Sequence, residues 1–319
     1  MNLKNEKVLV AGGAGFIGSH LVEALIEKGA IVEVADNFSL GKEKNLPDSV
    51  ACYTIDMSER YSVENIIDRY DLVYNLAVMP LLHSLEYPRT NLQTNINIVI
   101  NLCEQLKRKK FKKLIHFSSS EVYGSAEYAP MGEDHPLGAS TPYAASKAAC
   151  DLICLSYVKT FGCNISILRP FNAYGERQNA GSYAGVIPLT IERIKNGESP
   201  IVHGDGKQTR DYTYVKDIVR AAILIGEKDN LVGEIINIGS GHDVEIGWLV
   251  KEIAKWTHLA MGKDIIGREF GIDQEPARPG DVRRHIANVL KAKDLLKFRH
   301  RIGMEEGLKK TISWYLKQK

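Results

Sequence analysis

The chain has 319 residues, 44% hydrophobic and 25% charged, with a formal net charge of +2. That size suits two domains or one large α/β unit with an appendage, and the balanced charge gives no field that would favour nucleic acid or an anionic membrane. No apolar run reaches the roughly 18 residues that a membrane-spanning helix needs. The opening MNLKNEKVLVAGGAGFIG has a short apolar run but no cleavage pattern, so it reads as a first strand rather than a signal peptide. Cys52, Cys103, Cys150, Cys154 and Cys163 form no CxxC pair. Their scatter fits reduced core thiols in a cytoplasmic chain, and no metal-binding cluster is expected.

Lys7 to Ala11 predicts a first strand. Gly12, Gly15 and Gly18 follow, then a helix whose Leu21, Leu25 and Ile26 recur at helical spacing until Gly29 closes it. AIVEVAD is a second strand ending at Asp36. The alternation continues with strands VACYTID, DLVYNLAV, KKLIHFSSS and NISILRPFN, and with helices over SVENIIDRY, about 92–108, and PYAASKAACDLICLSYVKTFG. Such alternation predicts an α/β fold with a doubly wound parallel Rossmann sheet. From about Asn179 the rhythm loosens into shorter pieces between Gly- and Pro-bearing turns. The expected division is residues 1–178 for a dinucleotide-binding domain and 179–319 for a smaller C-terminal α/β substrate-binding region interleaved with it.

AGGAGFIGSH opens from a strand directly into a helix. Glycines at Gly12, Gly15 and Gly18 permit a tight turn and close approach of backbone N–H groups to a pyrophosphate, and the helix N-terminus adds partial positive charge. Phe16 and Ile17 belong to the same candidate phosphate cradle. Asp36 ends the second strand, where a carboxylate can accept both hydroxyls of an adenosine ribose and repels a 2′-phosphate. That choice favours NAD over NADP. Asn37 beside it, Asp56 after the third strand and Met57 next to Asp56 are further cofactor candidates, with Asp56 placed for the adenine amino group.

Tyr143 and Lys147 are four apart at the start of a helix, which puts both on one face. A tyrosine titrates near pH 10 and is a poor base at neutrality. The Lys147 ammonium and an oxidised nicotinamide would stabilise its phenolate, so Tyr143 could take a proton from a sugar hydroxyl as hydride leaves. Lys147 would also hold the nicotinamide ribose. SSSEVYG ends the fifth strand, where open α/β sheets place ligands, and a hydroxyl there can bond the reacting oxygen.

Taken in order, GGAGFIGSH, Asp36, the Ser cluster, PYAASK, RPFNAYG, GDGKQTRDYTYVKD and PARPGDVR resemble the extended short-chain dehydrogenase/reductase family, in its nucleotide-sugar epimerase/dehydratase branch, nearly end to end. The resemblance implies that Ser119 is the catalytic hydroxyl beside Tyr143 and Lys147, with Ser118 next to the cofactor. It implies that Asn95 lies by the cofactor phosphates and Ala77 gives a backbone contact. Arg210 and Arg278 suit a bidentate clamp on a diphosphate, with Asn172 turned to the diphosphate or sugar. Val186, opening VIP, resembles a contact to the base and Asp281 one near the ribose. The implied substrate is a nucleotide-sugar, most similar to UDP-sugars. Met79 and His83, in the unusual AVMPLLHSL segment read here as a loop, would line the sugar pocket.

Oxidation at C4 to a 4-keto sugar opens three routes. Related dehydratases place Asp-Glu after the hydroxyl residue, whereas this chain has Ser120-Glu121. UDP-glucuronate decarboxylases carry a similar Ser-Glu pair but usually lack an acid after the clamp arginine, where this chain has Asp211. RQNAGSYAGVIP and TRDYTYV look more like 4-epimerases. The reading is therefore an NAD-dependent UDP-sugar 4-epimerase. The alternatives are decarboxylation or dehydration using Glu121 as an added acid/base, or a non-catalytic NAD-binding regulator. Apolar residues on the helices after the fourth and fifth strands (Ile98, Ile100, Leu102; Ala149, Leu152, Leu155) imply, by the same resemblance, a homodimer through a four-helix bundle.

Overall fold

Lys7–Ala11 is buried on both faces along almost its whole length, as befits the middle of a parallel sheet covered by helices on each side. The structure is a computed structural model that describes residues 2–180, 185–264, 271–277 and 282–318. Along the first half run β1 (Lys7–Ala11), α1 (Phe16–Glu27), β2 (Ile31–Asp36), β3 (Ala51–Thr54), α2 (Arg60–Ile66), β4 (Tyr70–Asn75), α3 (Leu81–Glu86), α4 (Pro88–Lys107), β5 (Phe111–Phe117), α5 (Pro142–Phe161) and β6 (Ile165–Pro170). Then follow β7 (Ala173–Tyr174), α6 (Val186–Lys195), β8 (Ile201–His203), β9 (Thr209–Asp211), β10 (Thr213–Tyr214), α7 (Val215–Gly226) and β11 (Ile235–Ile238). The chain ends with β12 (Asp243–Glu245), α8 (Ile246–Ala260), β13 (Asp273–Glu275), β14 (Arg284–His285), α9 (Leu290–Leu296) and α10 (Met304–Lys317).

The main sheet has seven strands in the order β11-β6-β5-β4-β1-β2-β3, all parallel. This is the expected Rossmann-type sheet. The chain winds outward from β1 through β2 and β3, then returns to β4 on the other side of β1. The switch opens a crevice at the C-terminal ends of β1 and β4, where such sheets take ligands. One face is covered by α1, α7 and α9 through Leu21, Leu25, Ile218 and Leu296; the other by α2, α4 and α5 through Val63, Ile98, Leu102 and Cys154. A third core joins α6, α8 and α10 through Ile191, Leu249, Ile253 and Ile312. Each fully buried Leu or Ile stabilises the fold by roughly 1.5–3 kcal/mol, so the three cores are comparable anchors.

Three details differ from the sequence reading. The segment taken as a loop around residues 79–84 contains helix α3, packed against α4 and α5. Helix α4 starts at Pro88, ahead of the expected 92, because proline at the first helical position lacks only a donor that would be unpaired there anyway. Strand β11, which falls in the 179–319 region, is the edge of the main sheet and pairs with β6. Among the described residues, no helix is long and apolar enough to cross a membrane.

Candidate active site

The glycine turn is set by crowding. Gly12 has φ +78°, and a Cβ there would sit 2.6 Å from the Ala77 nitrogen; at Gly18 it would sit 2.1 Å from the Gly12 oxygen. Gly15, the N-cap of α1, differs: a Cβ would meet only the Gly12 oxygen, at 3.3 Å. Gly12 and Gly18 thus let β1, β4 and α1 close together, while Gly15 leaves the helix N-terminus approachable. Phe16 and Ile17 turn their side chains into the third core, so what they present to the turn is backbone N–H. Ala77 packs its backbone against Gly12 at the crevice.

Asp36 is buried at the end of β2. Its Oδ2 accepts from Ala14 N at 3.0 Å and its Oδ1 from Phe38 N at 2.8 Å. Two of the four lone-pair sites of a carboxylate are thereby filled and two remain for a pair of hydroxyls. Burial raises its pKa above the ordinary carboxylate range, with the two backbone donors opposing. This donor set, beside a cradle that a Cβ would fill, fits a dinucleotide. Asn37 reaches Asp56 Oδ2 at 3.4 Å, and Asp56 Oδ1 accepts from Ser58 N at 2.8 Å, so both lie on one rim. Met57 is buried in the core beneath α2 and α4 rather than in the crevice.

At the end of β5, Ser118 donates to Asp151 Oδ2 at 2.8 Å. Ser119 caps the following turn, accepting from Glu121 N at 3.2 Å, and lies close enough to Tyr143 to lower the pKa of its phenol. Thr141 caps α5 through Ala144 N at 3.1 Å, and Pro142 opens the helix, which brings Tyr143 and Lys147 onto its first turns. Burial pushes Tyr143 up to about 12; Ser119 pulls it down and the Glu121 carboxylate pushes it up. Lys147 is buried and donates to the Phe117 carbonyl, and burial lowers its pKa below the usual lysine range. Ser119, Glu121, Tyr143 and Lys147 thus share one site. Ser120 turns inward, and its carbonyl accepts from His285 Nε2 at 3.1 Å.

Asn95, expected beside the phosphates, has its amide committed elsewhere. Oδ1 accepts from Met79 N at 2.8 Å, and Nδ2 donates to Ser146 Oγ at 2.9 Å and Met79 O at 3.1 Å. With Asn91, which bonds Met79 O at 2.8 Å, it fixes the approach to α3 against α4 and α5. His83 stands on α3, its ring 4.9 Å from Tyr87.

A cavity of about 160 Å³ is lined by Asn172, Val186, Gln208 and Arg210, among others. Asn172 donates to Asp211 O at 3.0 Å and Arg210 to Thr209 O at 2.9 Å. Arg278 and Asp281 lie outside the described residues. Asp211 is a structural knot: buried, it accepts from Ser240 N, Ser240 Oγ, Gly241 N and Ala287 N. The acid that the sequence reading weighed between reaction types therefore ties β9 to its neighbours. His285 and Asp151 were missed. Asp151 had a signal, one turn past Lys147; His285 had none, because its contact to Ser120 spans distant segments. Among the described residues there is no cluster that could hold a metal.

Residues 8–239 match the model of the NAD dependent epimerase/dehydratase family. A UDP-N-acetyl-alpha-D-glucosaminuronate decarboxylase of Bacillus cytotoxicus is 36% identical, the match covering 97% of this chain and 98% of that protein. The solved UDP-glucose 4-epimerase of Thermotoga maritima is 34% identical with a TM-score of 0.89, covering 98% of this chain and 99% of that one. The solved UDP-N-acetylglucosamine 4-epimerase of Methanobrevibacter ruminantium is 35% identical over the same shares, also with a TM-score of 0.89. With the glycine turn at the end of β1, the Asp36 carboxylate at the end of β2 and the Tyr143–Lys147 pair on α5, these matches along nearly the whole chain mean that it belongs to the NAD-dependent epimerase/dehydratase family.

Proposed function

We propose that the chain is a UDP-sugar 4-epimerase that works through a transient 4-keto sugar. The observation that supports this is the Tyr143–Lys147 pair, one turn apart on α5, with Lys147 bonded to the Phe117 carbonyl at the end of β5 beside Ser119. NAD, when bound, supplies a reversible hydride acceptor for C4. The chain's own groups move the proton. The phenolic oxygen of Tyr143, stabilised as phenolate by the Lys147 ammonium, takes it from the C4 hydroxyl while Ser119 holds that oxygen. Once the keto sugar has turned over and been reduced, Tyr143 would give the proton back to the C4 oxygen. Gly12, Gly15, Gly18 and the N–H groups of Phe16 and Ile17 would hold the pyrophosphate, and Asp36 the adenosine ribose. Asn172, Val186, Arg210, Arg278 and Asp281 would hold the nucleotide diphosphate, so residues 179–319 supply most of the UDP grip and residues 1–178 the cofactor grip.

A second reading is loss of a C5 carboxylate from the 4-keto sugar. Glu121 supports it: its carboxylate is near enough to raise the pKa of Tyr143, and it would serve as the added acid/base. The test is incubation of the purified protein with UDP-glucose, UDP-N-acetylglucosamine and the corresponding uronates, with proton NMR of the products. An equilibrium mixture of C4 epimers is expected. Carbon dioxide release from a uronate, with no epimer formed from either neutral sugar, would move the assignment to the second reading.

A further inference from the structure

Asp151 lies one helical turn beyond Lys147 on α5 and is buried. Its Oδ2 is crowded with donors: Ser118 Oγ at 2.8 Å, and Arg169 Nε and Nη2, both at 2.9 Å. Its Oδ1 has no hydrogen-bond partner and stands 3.9 Å from His116 Nε2, which has none either. His116 Nδ1 meets the Asn75 amide nitrogen at 3.1 Å, so Nδ1 accepts and the ring proton sits on Nε2, facing the carboxylate side. A carboxylate kept only to neutralise Arg169 is expected to meet the guanidinium fork with both oxygens. Here one oxygen carries the whole ion pair.

Lys147 lies in this surrounding with a neutral carbonyl, Phe117 O, as its hydrogen-bond acceptor. The groups packed around it offer little other negative charge. On α5, burial pushes the Cys150 thiol up, and the neighbouring Cys103 thiol of α4 together with burial pushes Cys154 up, so both stay protonated. On β5, His116 is held neutral by its burial and by Lys147 itself. Arg169 on β6 is a cation. On the turn after β5, Glu121 acts on Tyr143 and raises its pKa. Burial raises the pKa of Asp151 while its ion pair with Arg169 opposes that, and this paired carboxylate is the group that opposes the loss of charge burial imposes on Lys147.

We propose that Asp151 is a positioning residue for the reaction: its carboxylate keeps Lys147 an ammonium, and through Ser118 and Arg169 it ties the catalytic end of β5 to β6. The proposal rests on the assignment of Tyr143 and Lys147 as the proton-transfer pair.

The experiment compares kcat against pH for wild type, Asp151→Asn, Asp151→Glu, and the double variant Asp151→Asn/Arg169→Gln. In Asp151→Asn the alkaline limb, where Lys147 loses its proton, moves to lower pH. The ratio of kcat at about pH 9 to kcat at about pH 7 then falls at least fivefold, while the acid limb does not move up. Asp151→Glu restores the wild-type limb. The double variant removes the Arg169 cation together with the carboxylate that pairs with it, so it is informative even where the single variant does not fold, and its alkaline limb shifts the same way by a smaller amount. A folded neutral variant that loses thermal stability but keeps the wild-type limb overturns the proposal and makes Asp151 structural. Failure of wild type to turn over any UDP-sugar would instead remove the assignment of the pair beneath it.

Discussion

Tyr143 carries the chemistry, and its surroundings set the conditions for its use. Burial holds the phenol up at about 12, so Lys147 and the bound cofactor must both be in place before it serves as a base. Tyr143→Phe should cut kcat about 10³-fold while NAD binding and melting temperature stay near wild type; retained turnover, read by NMR, would remove the proposed base. Asp36 makes a pH prediction. Its folded pKa is raised, and the ionised form is the one that accepts ribose hydroxyls, so NAD affinity is full above that raised value and declines as pH falls through it. By titration calorimetry the Kd should therefore begin to rise at a pH above the value of about 3.9 that an ordinary aspartate would set. A Kd flat across the acid range contradicts this. These two residues were legible in the sequence because each is defined by local spacing: YxxxK on one helix, and an acid ending the strand after the glycine turn. Asp151 with Arg169, and His285 with Ser120, were not. Each pair joins segments distant in sequence, and nothing local names the partner.

At the scale of elements, the glycine turn separates packing from binding. Gly18→Ala would drive a Cβ to 2.1 Å from the Gly12 carbonyl oxygen, backbone against backbone. It should cost about 2–3 kcal/mol of unfolding free energy and weaken NAD binding as well. Gly15→Ala meets only a 3.3 Å contact. It should lose less than about 1 kcal/mol while raising the Kd for NAD, and equal losses in chemical denaturation would show that the turn has no such division. Alternating strands and helices made the sheet readable up to β6. Helix α3 was not, because LLHSLE is too short for its periodicity to show, and it is held by Asn91 and Asn95 from the next helix. Asn95, a cofactor residue by resemblance, holds the backbone of Met79 in this structure. Asp211 likewise looked like a marker of reaction type and is a hub for donors from two other segments.

Over the whole molecule, β11 from the second half of the chain completes the main sheet, while α6 and β9 line the cavity where Arg210 stands and β14 pairs with β9. The pieces after 178 were readable as elements but not as an arrangement, since their short strands pair with partners far along the chain. Helices α4 and α5 bear on assembly. Ile98 and Leu102 are spent on the core beneath them, whereas Ile100 is 38% and Leu152 58% exposed. We propose that these exposed residues pair two copies of the chain. Light scattering after size exclusion should give a dimer for wild type and a monomer for Leu152→Asp; a wild-type monomer would refute the pairing. The central claim is that the sugar is oxidised and re-reduced at C4 within one site, its proton handled by Tyr143. The most direct measurement uses a UDP-sugar bearing deuterium at C4. The account predicts that the epimerised product keeps that deuterium at C4, with a primary isotope effect when hydride transfer limits the rate; exchange of the label into solvent during turnover would contradict it.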